Sequence, residues 1–65
     1  MAERWSFIVA EGLKELWRMD KETPSGDWMP FIRGRRYIDI GGHKKLAPEE
    51  PFFSTEAEGR EWLKK

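Results

Sequence analysis

Most of the residue types that carry enzyme chemistry are scarce in this chain. Its 65 residues include one His and no Cys, so a Cys–His nucleophile and a His/Cys zinc site are both out of reach within one chain. A Ser–His–Asp set can be assembled on paper from Ser25 or Ser54, His43 and Asp39. Neither Ser sits in a nucleophile-elbow motif, however, and no pattern brings the three together. Glu49 and Glu50 are adjacent carboxylates, and such neighbours in a loop are expected to diverge into solvent rather than share a proton. Gly41-Gly42-His43-Lys44-Lys45 looks like a phosphate cradle, but it lacks the Walker spacing and a following helix, so it reads as a turn. The expectation is a protein that is not an enzyme, with no catalytic residue, no metal ligand and no cofactor.

Charge is the stronger signal. Lys plus Arg and Asp plus Glu both number 12, so no net field drives the whole molecule onto nucleic acid or anionic lipid. The distribution is uneven. Residues 33–45 hold Arg33, Arg35, Arg36, Lys44 and Lys45 against Asp39 alone, net +4, and residues 46–58 hold four Glu and no base, net −4. Closely spaced Arg and Lys are what phosphate binding requires, and a two-stranded β element fits a major groove. These five residues are the candidate nucleic-acid-binding set. The alternative is a solvated hairpin paired with the acidic segment that follows it.

Aromatic residues carry the same double reading. Nine of the 65 residues are aromatic, four of them Trp. Rings can stack on bases, yet a small domain without disulfides also needs them in its core. Trp62 reads as core, and Trp28 and Tyr37 are the candidates for exposed rings.

The elements that would position these groups are short. Arg4 to Ala10 alternates as a strand, with Trp5, Phe7 and Val9 on one face and Glu11-Gly12 as a turn. Residues 13–20 are ambiguous: they alternate loosely as a second hairpin strand, while Leu13, Leu16 and Trp17 also mark a helical face. A strand is favoured because it places Trp5 and Trp17 in one sheet. Residues 21–27 form a polar loop. Residues 28–33 read as a strand that Pro30 confines to an edge or a bulge. Gly34 reads as a tight turn, 36–40 as the clearest strand, and 43–51 as a loop. Thr55-Glu56-Ala57-Glu58 has capping-box spacing and starts a helix over about 55–64. Gly59, Trp62 and Leu63 lie on one face of that helix, and Lys64 and Lys65 sit at its negative end.

The fold class that follows is α+β: a single domain with a three- or four-stranded antiparallel sheet and one C-terminal helix packed on one face. The other face is left to solvent or a partner. A domain of this length buries only about 60% of the surface its unfolded chain exposes. No stretch approaches the roughly 18 apolar residues of a membrane helix, and neither a leader nor a membrane partner is expected. The reading is a cytoplasmic protein in bacterial or phage style.

The stretch from Phe53 to Leu63 resembles the end of the arm-type DNA-binding domain of phage and transposon integrases. Phe53, Thr55, Gly59, Trp62 and Leu63 carry the likeness. The resemblance implies a helix behind a three-stranded sheet whose free face reads DNA, and it assigns contacts to Arg33, Arg35 and Arg36. The expected partner is therefore DNA or RNA. The alternative is a protein partner, or a second copy of the chain in a dimer.

Overall fold

The computed structural model describes residues 2–65. Five strands and one helix follow in order: β1 (Glu3–Glu11), β2 (Lys14–Glu22), β3 (Trp28–Ile40), β4 (His43–Leu46), β5 (Phe52–Phe53) and α1 (Glu56–Leu63). All pairings are antiparallel, in the order β1-β2-β3-β4, with the short β5 also paired to β3. The α+β class stands, and the ambiguous segment 13–20 is a strand.

Two tight turns set the registers. Gly12, at a φ of 61°, opens the two-residue turn between Glu11 and Lys14. Gly41 and Gly42, at φ of 60° and 86°, turn β3 into β4, and the Gly42 N–H donates to Asp39 Oδ1 at 2.9 Å. Two successive positive-φ residues match the right-handed twist of a hairpin.

Three expectations change. The turn at Gly34 does not exist, because Trp28–Ile40 is one continuous strand. Gly34 is buried opposite Leu16, and a Cβ there would sit 2.7 Å from Trp62 Cζ3. Glycine serves close packing here, not chain reversal. The loop assigned to 43–51 contains a strand at His43–Leu46. The face assignment in β1 also splits. A bulge between Phe7 and Val9 turns Val9 opposite Leu16, leaving Trp5 and Phe7 on the other side. Pro30 keeps its edge character locally: β5 pairs only with Ile32 and Arg33, so no strand needs the missing N–H.

α1 packs on one face. Thr55 Oγ1 accepts the Glu58 N–H at 3.2 Å, as the cap spacing predicts. Gly59 and Leu63 are buried against this face, where Leu16 is completely buried. The other helix end is closed from outside the helix. The Lys14 ammonium on β2 donates to the Trp62 carbonyl at 3.1 Å and to the Lys65 carbonyl. A cation from the sheet thus adds a donor at this end, beside the Lys65 N–H that the Trp62 carbonyl already accepts at 3.2 Å, and opposes the negative helix end.

A candidate nucleic-acid interface

The five candidate cations fall in three places. Arg33 and Arg35 point to the face opposite α1, since they pair in register with Trp17 and Glu15. Arg36 pairs with Lys14 and shares the helix side. Lys44 and Lys45 lie beyond these, on the β3–β4 arm, facing opposite sides opposite Asp39 and Ile38.

Arg33 and Arg35 are packed into the sheet. The Arg33 guanidinium lies 3.9 Å from the Phe52 ring centre and 5.5 Å from Trp5. Arg35 lies 4.2 Å from Trp5 and 5.4 Å from Trp17. Rings and guanidiniums therefore alternate as Phe52, Arg33, Trp5, Arg35 and Trp17, each cation against the negative face of a π system. Trp17 in turn donates from Nε1 to Glu15 at 3.0 Å.

The acidic segment closes over this ladder. Arg33 Nη2 donates to the Glu50 carbonyl at 3.0 Å, and Glu50 Oε2 lies 4.0 Å from Arg33 and 3.5 Å from Arg35 Nε. That last contact is an ion pair without hydrogen-bond geometry, and the Nε atoms of both arginines are buried with no hydrogen-bond acceptor. Glu49 reaches the other side of the sheet, where its Oε2 lies 3.1 Å from Arg36 Nη1. The two glutamates do diverge, each onto arginine: Glu50 into the partly buried ladder and Glu49 onto Arg36 at an exposed surface. Two backbone bonds pin the segment, Gly34 N–H to the Pro51 carbonyl at 2.9 Å and Ala47 N–H to the Arg36 carbonyl at 2.8 Å. Nothing local in the sequence marks these long-range partners except the adjoining blocks of opposite charge.

Lys44 and Lys45 differ. Both are exposed, and neither forms an ion pair among the described residues. Of the candidate rings, Trp28 is half-buried with the Arg4 guanidinium 3.7 Å over it, and Tyr37 is half-buried beside Glu15. Burial, then the neighbouring Glu15, push the Tyr37 hydroxyl above its ordinary pKa of 10.0 against the opposing pull of Arg35. The most exposed rings are instead Phe7 and Phe52, at 54% and 59%. Both belong to the face that α1 leaves uncovered.

The surface depressions are shallow. One is lined by Pro30, Phe31, Phe52, Phe53 and Ser54, with no ionisable side chain to act as acid or base. Among the described residues no cluster of His, Asp or Glu is placed to hold a metal ion. Among the described residues no helix is long and apolar enough to cross a membrane. Comparison with family models, with curated proteins and with solved structures gives no match.

Proposed function

We propose that this chain is a non-catalytic, cytoplasmic binding module that contacts nucleic acid through its β3–β4 arm. Lys44 and Lys45 supply the phosphate contacts, and Arg36 stands at the arm's root. The carrying observation is that, among the described residues, these two lysines form no ion pair on a regular two-stranded ribbon, whereas every arginine of the basic block is engaged by Glu49 or Glu50. A ribbon of this kind fits a major groove, and phosphate contacts of this kind bind without regard to sequence. The order of sheet and C-terminal helix is in keeping with the resemblance to arm-type integrase domains. In this reading Arg33 and Arg35 serve the packing of the sheet.

The test is binding to a mixed-sequence DNA duplex, and to an RNA of similar length, across a series of salt concentrations. Replacing Lys44 and Lys45 by Ala should weaken binding uniformly and flatten the log–log salt slope by about 1.8, at roughly 0.9 per lost phosphate contact. Unchanged affinity in that variant would refute the assignment. A second reading, a protein-interaction module, is favoured by one feature: the uncovered sheet face with its exposed phenylalanines.

A further inference from the structure

The sheet face opposite α1 is the largest feature that nucleic-acid contact by the arm leaves unexplained. One row crosses four strands in register, Phe7, Trp17, Arg33 and Phe52, and the next row holds Trp5, Met19 and Phe31. Met19 is only 3% exposed although no element covers this side, so its neighbours close over it as a layer of rings and guanidiniums. Phe7, Phe52 and Met29, three of the most exposed large apolar side chains, all belong to this layer. Contiguous apolar surface of this kind marks an interaction site.

The chemistry of the layer narrows what can cover it. Glu3, Glu15 and Glu50 stand against Lys21, Arg33 and Arg35, three charges of each sign, and Glu50 already holds both arginines. A polyanion or a polycation gains nothing from a face that is neutral and internally paired. A surface of the same composition suits it, because it brings apolar area and no unpaired charge. The dimensions agree. The molecule measures 45 × 23 × 16 Å. Without the arm, roughly 16 Å of that length at about 3.3 Å per residue, its broad side outlines about 670 Å², within the ~600–1,000 Å² per partner of a standard interface. The need is also present, since among the described residues only Leu16, Met19, Ala47 and Leu63 form the buried apolar core of the monomer.

We propose that a second copy of this chain packs on this face, joining the two sheets into a helix–sheet–sheet–helix sandwich. Two sheet faces interdigitate at a spacing of about 10 Å, and a two-fold axis sets the same patch on both partners. The arms stay outside the contact, so the inference does not depend on nucleic-acid binding.

The experiment is light scattering on the full chain over a concentration series, with Trp emission followed in parallel. The expected result is a mass rising to twice 7.7 kDa, accompanied by a blue shift as Trp5 and Trp17 lose water. Phe7→Lys and Phe52→Lys replace exposed rings, so each should leave the far-ultraviolet spectrum unchanged and raise the dimer dissociation constant by at least about tenfold. Ile40→Lys, on the far side of the arm, should leave it unchanged. A monomer at the highest soluble concentration would overturn the proposal. So would a dimer that tolerates both Phe substitutions, or one lost in the Ile40 variant alone.

Discussion

Replacing Gly59 by Ala is the sharpest probe of how the helix sits on the sheet. Two effects of opposite sign meet there. Ala in place of Gly in a helix interior is favourable by about 1 kcal/mol through backbone entropy. The new methyl would collide with Leu16 Cδ1 and lie 3.1 Å from Leu16 Cδ2 and 3.3 Å from Ile32 Cγ2. Leu16 is completely buried, so it has no free direction in which to retreat. Overpacking of this kind costs about 1–3 kcal/mol. The net expectation is a loss of about 1 kcal/mol, which in a domain this small lowers the melting temperature by roughly 4–8 °C. Thermal or urea unfolding followed by circular dichroism reads it directly. The same substitution in a Leu16→Val background should cost less, because the colliding methyl has moved, and the double-mutant cycle isolates that term. A Gly59→Ala protein as stable as the parent, or stabler, would refute the close-packing argument.

Other expectations follow from the ring–guanidinium ladder and from Tyr37. Arg35→Ala should destabilise by about 1–2 kcal/mol, because two stacked contacts of about 0.5–1 kcal/mol each are lost. Arg35→Lys should lose most of the same amount, since an ammonium keeps the charge but not the plane; full rescue by Lys in urea unfolding would show that charge alone matters. For Tyr37 the folded state holds its proton more tightly than the unfolded state, whose value is 10.0. That contribution is fully present below the unfolded value and is lost as pH rises through the folded one. Urea midpoints measured between about pH 9 and 11 should therefore fall more steeply for the parent than for Tyr37→Phe, and parallel curves would remove the tyrosine from the account. Trp62→Ala should cost about 3 kcal/mol, toward the low end for a ring only half-buried, and a near-neutral effect on thermal unfolding would mean that Gly34 does not pack beneath it.

What the chain discloses locally, it discloses well. The helix from residue 55 was legible because its cap, its acidic first turn and its apolar face lie within ten residues. The second strand was legible only as the favoured of two readings, for a reason visible in its side chains: Leu16 is buried beneath the helix and Met19 on the opposite face. A strand buried on both sides loses the alternation that distinguishes it from a helix. Gly34 misled in the same way, since glycine ordinarily marks a turn and only Trp62, 28 residues later, explains it within a strand. The site followed the same rule. The basic and acidic blocks were plain, but which cation each glutamate holds depends on Pro51 and Ala47 being tied back to β3. Lys14 at the helix end is another contact that only the fold creates.

The central claim is that the arm, through Lys44 and Lys45, is the nucleic-acid-contacting element. An amide chemical-shift titration of labelled protein with a mixed-sequence DNA duplex, at low salt and again near physiological ionic strength, tests it most directly. The account predicts shifts concentrated in residues 36–46 that fade as salt rises. Silence at low salt, or shifts confined to the face of Trp5, Trp17, Arg33 and Phe52, would contradict it.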